Sequence, residues 1–407
     1  MIRKITFYFI LVFAIKNEII SAQIEPTVSV IINSVSIDSL YENLNYLSGE
    51  KPVVVPSGTQ LISSRAYTST GNLVAEEYLQ LRLRKYGLET SLQTFDAGGG
   101  NVIGIQRGKK RPNQKIIICA HFDSRPYTGN APGADDNGSG TSAVIEAARI
   151  LSKFQTDYTI VYALWDNEEI GLKGSDFYAQ KAFTNKDSIV AVINMDMIGW
   201  DSNNDNLAEI HTRDVQNSNQ IAGRMLNINS DYRLGLNLTI INPGTRASDH
   251  ASFWNKSFSA VLLIENISSD FNPYYHSSLD NIQYINKTFF EKCAKLAIAT
   301  LTSYAGLQMT SSVENIIPNE LTLYQNYPNP FNPNTVISYQ LSAASFVTLK
   351  VYDSLGREVT TLVNEYQQPG TYSSTFSTLH STISSGIYFY TLYTGDNLLV
   401  RKMVLAK

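Results

Sequence analysis

Residues 116–140 read IIICAHFDSRPYTGNAPGADDNGSG. The apolar run Ile116 to Ala120 follows Lys115 and precedes a polar loop. A short run without alternation predicts a strand buried on both faces. His121 and Asp123 stand at its C-terminal end. After a loop containing proline and glycine come Asp135 and Asp136, then Gly138, Ser139 and Gly140. From Thr141 to Phe154 the apolar residues Ala143, Ala147, Ile150 and Leu151 fall at helical spacing. Strand, polar loop and helix in that order predict an open α/β sheet, in which ligands gather beyond the carboxyl ends of the strands. An imidazole and carboxylates at that end are the ingredients of a metal site. Ordinary turn and helix-capping chemistry accounts for Asp, Asn, Gly and Ser before a helix as well, so the choice between the two rests on the rest of the chain.

Three later segments repeat the pattern. Tyr158 to Trp165 (YTIVYALW) is followed by Asp166, Glu168 and Glu169. Ile189 to Met195 is followed by Asp196, and Ser259 to Ile264 by Glu265. Four buried strands therefore deliver acidic or imidazole groups at one end, where chance would scatter them over both. His276 stands in a loop before the helical run Lys287 to Tyr304, and the whole chain has five histidines. The candidates are His121, Asp136, Glu168, Glu169, Asp196 and His276. Two histidines and three carboxylates hold two zinc ions if one carboxylate bridges them. Paired metals share a water, lower its pKa and polarise a carbonyl. A carboxylate outside the ligand set then moves the proton. Adjacent Glu168 and Glu169 supply one ligand and one base, chemically alike. The inventory suits hydrolysis of an amide or ester. Imidazole is a poor partner for calcium, and no G-x-S-x-G elbow occurs.

Residues 1–23 read as a signal peptide, with Arg3 and Lys4 before an apolar stretch and Ser21-Ala22 at a small-residue cleavage site. No later run is long enough to span a bilayer, so the mature chain is expected to be soluble. The length suggests two or three domains. The net charge of −4 gives no support for nucleic-acid or anionic-membrane binding. Two cysteines make no disulfide scaffold; Cys119 and Cys293 either pair or stay as buried thiols. Asn72 to Tyr86 reads as a helix ended by Gly87. Leu88 to Phe95 and Asn101 to Gln106 read as strands joined by a flexible turn at Gly98-Gly99-Gly100, which lacks the lysine and spacing of a phosphate loop.

The motifs HFDS (121–124), PGADDNGSG (132–140), NEEIGLKGS (167–175), NMDMIG (194–199), SDHASF (248–253) and HSSLD (276–280) together resemble the co-catalytic zinc aminopeptidases of peptidase family M28. The resemblance covers Ser34 to Leu307 and implies a catalytic domain over 24–307, with a mainly parallel twisted sheet between helices. It implies two zinc ions. His121 and Asp196 would share one, Glu169 and His276 the other, with Asp136 bridging and Glu168 as general base. Asp123 resembles the acid that orients the first histidine, and Asp280 is expected to do the same for His276. Some family members place a tyrosine near the scissile carbonyl shortly before SDH; here Thr245 falls near that place and Arg246 follows. Arg246 is a candidate for gripping a substrate carboxylate, beside a plain surface or salt-bridging role. Asp249 and His250 are expected to structure their loop, and Asp135 to serve the turn. His211 and His380 match nothing in the pattern and are read as structural or exposed.

Composition shifts after Leu307. Residues 308–320 read as a linker, and short alternating strands from Thr335 to Val404 predict a small immunoglobulin-like β-sandwich over 321–407. QNYPNPFNPNTVISYQL (325–341), VYDSLGREVTTLV (351–363), SGIYFYTL (385–392) and the terminal KMVLAK resemble the C-terminal sorting domain of the type IX secretion system. That implies export through the periplasm of a Gram-negative-type bacterium to the cell surface or medium, with the secretion machinery as partner. The combined expectation is a secreted di-zinc aminopeptidase acting on peptides or proteins. Its rivals are a glutaminyl-peptide cyclase with one zinc and an inactive, metal-stabilised surface binding protein.

Overall fold

A computed structural model describes residues 25–67, 69–96, 99–126, 129–308, 320–379, 383–395 and 397–406. The signal-peptide segment 1–23, His380 and nearly all of the linker 308–320 lie outside the described residues.

The run from Ile116 is the centre of an eight-stranded sheet. In chain order its strands are β1 (Glu89–Asp96), β2 (Gly99–Gln106), β3 (Arg111–His121), β4 (Tyr158–Trp165), β5 (Ser188–Met195), β6 (Leu207–His211), β7 (Asn237–Ile241) and β8 (Ala260–Glu265). In space they lie β7-β6-β8-β5-β3-β4-β2-β1. The central strands β8, β5, β3 and β4 are parallel. The flanks are antiparallel where β8 meets β6, β4 meets β2 and β2 meets β1. The sheet is therefore mixed, parallel where the site forms. Register sets His121 beside Trp165, Cys119 beside Asn194 and Leu263 beside Met195, so the central strands end level.

Both faces of β3 are covered, as its unbroken apolar run requires. Ile116, Ile118 and Ala120 point into one core with α4 (Gly140–Leu151) and α8 (Lys287–Ala305). Ile117 and Cys119 point into another with α5 (Lys173–Thr184) and α7 (His250–Trp254). Each fully buried isoleucine contributes about 1.5–3 kcal/mol relative to exposure. Cys119 and Cys293 are buried free thiols. The sequence-predicted helix is α3 (Thr70–Lys85), capped by the Ser69 side chain accepting from the Asn72 amide and followed by Gly87 at φ +76°.

Two glycines of the triplet depart from expectation, and the third, Gly98, lies outside the described residues. Gly99 and Gly100 belong to β2, and a Cβ on Gly99 would come within 2.7 Å of the Phe95 ring and of Asn167 Nδ2. The glycines are there because other groups approach the strand closely, not because the chain turns.

The C-terminal region folds as two sheets. One joins β9 (Thr322–Leu323), β10 (Asn334–Leu341) and β13 (Gly370–Ser377); the other is β12-β11-β14-β15, from Glu358–Gln367, Ser345–Asp353, Gly386–Tyr393 and Leu398–Leu405. Between them lie Ile337, Tyr339, Leu349, Val351, Tyr390 and Met403, all fully buried. The proline-rich segment covers the edge strand β15: Asn329 Oδ1 accepts from the Val404 amide at 2.9 Å and Phe331 N donates to Val404 O at 3.0 Å. No helix among the described residues is long and apolar enough to cross a membrane.

Candidate metal centre

Level strand ends bring the predicted groups together. His121 closes β3, Asp196 follows β5, and Glu168 and Glu169 follow β4. His276 comes from the loop after β8, and Asp136 from the turn into α4. The His121 Nε2 atom lies 3.3 Å from Asp196 Oδ1 and 3.4 Å from Asp136 Oδ1. The His276 Nε2 atom lies 3.2 Å from Asp136 Oδ2 and 2.8 Å from Glu169 Oε2. Asp136 thus turns one oxygen to each histidine. Donor atoms of His121, Asp136 and Glu169 lie within 4.8 Å of one another, and so do those of His121, Glu168 and Asp196. Glu168 is therefore as close to donor atoms as the expected ligands, and distance alone does not divide base from ligand.

Backbone tethers set this geometry. Asn137 uses its side chain twice, accepting from Gly140 N at the start of α4 and donating to Met195 O at the end of β5. Asp123 meets the His121 Nδ1 atom twice, with its backbone carbonyl oxygen at 3.2 Å and its Oδ1 at 3.4 Å. Its carboxylate also accepts from the amides of Glu168 and Glu169, at 3.1 and 3.2 Å. One residue thus joins a histidine ring to the turn that presents both glutamates. Asp280, expected to act on His276, uses its two oxygens on the amides of Asp135 and Asp136, both at 3.0 Å. Asp135 in turn accepts from Gly199 N and Asn272 Nδ2.

Burial away from water raises the carboxyl pKa values of both glutamates. Burial, then the charge of Asp136, lifts Glu169 to about 8. Burial lifts Glu168 well above the usual carboxylate range. Asp136 goes the other way: burial opposes its charge, but hydrogen bonding to His121 and His276 outweighs it and holds the carboxyl below its ordinary value. Burial also disfavours the charged form of His276, yet Asp136 and Glu169 raise it to about 9. Acidic groups outnumber basic ones in this nest. Glu169 Oε1 is buried with no hydrogen-bond partner among the described residues. Imidazole and carboxylate donors at this spacing fit zinc.

Arg246 makes none of the contacts just described. Its guanidinium donates to Asn255 Oδ1, and it lines a cavity of about 390 Å3 with Arg213, Asn242 and Trp254. His250 is buried, with Nε2 3.0 Å from Thr245 O and its ring edge-on to Trp254. That is the loop-structuring role expected of it. His211 is buried against Glu209 at 2.9 Å, and its Nδ1 accepts from Thr245 N. Two groups escaped sequence reasoning. The Tyr275 ring stacks on His276 with centroids 3.6 Å apart, and its place beside a candidate ligand was the one available clue. Arg65 is fully buried beneath the centre, and its polar surroundings, SSRAYTS, gave no sign of that.

Comparison with known proteins adds to this geometry. Residues 101–301 match the family model described as Peptidase family M28, and residues 325–406 the one described as Secretion system C-terminal sorting domain. Aminopeptidase YwaD of Bacillus subtilis is 27% identical over 273 residues, covering 65% of this chain and 54% of that protein. A probable leucine aminopeptidase of Arthroderma otae is 30% identical over 200 residues, covering 47% and 53%. The chain spans about half the length of these curated relatives. Among solved structures, the LapA aminopeptidase of Legionella pneumophila superposes with a TM-score of 0.59 at 24% identity, over 69% of this chain and 75% of that one. BSAP, a zinc aminopeptidase from Bacillus subtilis, gives 0.57 at 18%, over 67% and 96%. A Bacteroides thetaiotaomicron glutaminyl cyclase bound to N-acetylhistamine gives 0.53 at 18%, over 66% and 97%. At these identities the structures share the fold.

Proposed function

We propose, for a chain whose residues 101–301 carry a Peptidase family M28 domain, that the centre holds two zinc ions and removes N-terminal residues from peptides. The observation that carries this reading is Asp136, whose Oδ1 faces His121 and whose Oδ2 faces His276. A carboxylate so placed suits a bridge. His121 and Asp196 complete one half, Glu169 and His276 the other. Bound there, zinc supplies a water of lowered pKa and a Lewis-acid grip on a carbonyl oxygen.

The chain's own residues supply the rest. Glu168, with a carboxylate oxygen within 4.8 Å of the donor atoms of His121 and Asp196, is suited to take a proton from the attacking water and to pass it to the leaving amine. Asp123 keeps that carboxylate in place by holding the amides of Glu168 and Glu169, and keeps His121 turned toward Asp136 and Asp196. Tyr275 and Phe271, in edge-to-face contact, give an aromatic surface beside His276. The tail is assigned to export by a type IX secretion system, with surface display or release as the outcome.

The glutaminyl cyclase neighbour shares the fold at a similar score, so fold does not discriminate. The two-sided placing of Asp136 favours the peptidase. The test is a panel of aminoacyl-anilides, free and N-acetylated, with a Gln-initiated peptide, each with and without chelator. Chelator-sensitive hydrolysis of the free substrates alone is expected. Ring closure of the Gln peptide without anilide hydrolysis would overturn the reading.

A further inference from the structure

Arg65 is the one arginine or lysine that is buried among the described residues, and it is fully buried. It forms no ion pair with a carboxylate among the described residues. Its guanidinium donates instead to backbone carbonyls: Nε to Phe122 O, Nη1 to Leu47 O and to Pro132 O at 2.6 Å, and Nη2 to Gly133 O at 2.7 Å. Phe122 follows His121 directly. Pro132 and Gly133 begin the turn that presents Asp135 and Asp136. Leu47 ends helix α2 (Ile37–Leu47). One rigid fork therefore joins the exit of β3 to the loop bearing Asp136, and pins both to a helix. Its charge is set among Asp280, Asp123, Asp136 and Glu169.

We propose that Arg65 is the positioning residue of the metal centre: it fixes the spacing of His121 and Asp136 before metal arrives. This rests on the zinc-binding reading given above. The planar fork matters as much as the charge. A lysine at this place keeps a positive charge but has three donors on a flexible stem, and cannot hold four carbonyls in one plane. Burial draws the guanidinium pKa down to about 10, so it remains charged at neutral pH. Ser124 braces the residue, accepting from Arg65 N at 3.0 Å through Oγ while donating to Ala131 O at 2.9 Å.

The test is a zinc titration of the metal-free full chain, read with a competing chelator dye and with circular dichroism well below the melting temperature. The native protein, Arg65→Lys and Ser124→Ala are compared. Groups that orient metal ligands typically change affinity about 10–100-fold, and Arg65→Lys is expected to weaken zinc binding by that order while staying folded. A role confined to stability would lower the melting temperature and leave zinc affinity unchanged. A folded Arg65→Lys protein with native zinc affinity overturns the proposal. If Arg65→Lys does not fold, Ser124→Ala decides: weaker zinc binding supports the proposal, and native affinity overturns it. Failure of the native chain to bind zinc would sink the metal reading, and this proposal with it.

Discussion

At the scale of single residues the account turns on Asp136 and the adjacent glutamates. A bridging carboxylate serves both metals, so Asp136→Ala should deplete both sites, whereas losing Asp196 or His276 should weaken one first. Metal analysis of the three purified variants checks this; an Asp136→Ala protein that keeps two tightly bound zincs contradicts the bridge. Glu168→Gln should keep its metals and near-native substrate binding but lose turnover by about 10²–10⁴-fold, the usual worth of a general base. Glu169→Gln should lose metal first and regain part of its activity in excess zinc. The reverse pattern would exchange the two roles. The metal-free protein carries a pH signature. His276 is raised to about 9, so its stabilising contribution is complete below the unfolded value near 6.5 and is lost as pH rises through about 9. Glu169, raised from 4.5 to about 8, binds its proton more tightly folded than unfolded, so its contribution falls as pH rises from about 4.5 to about 8 and overlaps that of His276. The melting temperature of chelated protein should therefore drop between about pH 6 and 9, while zinc retention rises as the protons leave. A chelated protein that gains stability over that interval refutes this electrostatic picture.

At the scale of elements, strand β3 carries the fold and delivers His121. Ile118 is fully buried in the core shared with α4 and α8. Ile118→Ala should cost about 2–5 kcal/mol and lower the melting temperature, with zinc stoichiometry unchanged in the protein that remains folded. Unaltered thermal stability would contradict the packing described. This strand was legible because an unbroken apolar run has one common explanation, burial on both faces. The turns after β4 and β5 were legible because acids recur at one end of successive strands. The antiparallel flanks were not, since alternation does not report strand direction. Gly99 and Gly100 were misread because a glycine marks either a turn or a close approach, and only the neighbours Phe95 and Asn167 tell which. The targets of Asp280 and the burial of Arg65 depend on contacts between segments far apart in sequence, which no local pattern encodes. Arg246 was placed by its nearness to SDHASF, but its side chain meets Asn255 beyond α7.

At the scale of the whole molecule, contacts among the described residues join the C-terminal sheets to the α/β region. Asn33 Nδ2 donates to Pro369 O at 2.6 Å, Ser29 Oγ to Gln368 Oε1 at 3.2 Å, and the Arg233 guanidinium lies 3.8 Å from the Tyr366 ring centre. None of these residues belongs to the candidate centre. Deleting 321–407 should therefore leave zinc binding and hydrolysis intact while the protein accumulates inside the cell envelope. A folded truncation without activity would contradict that separation. The central claim is a paired zinc centre used for hydrolysis at a free N-terminus. It is tested most directly by adding zinc stepwise to the metal-free protein while measuring bound metal and aminoacyl-anilide turnover on the same samples. The account predicts two equivalents bound and a rate that reaches its plateau with the second. Saturation at a single equivalent, with no hydrolysis of free aminoacyl-anilides, would contradict it.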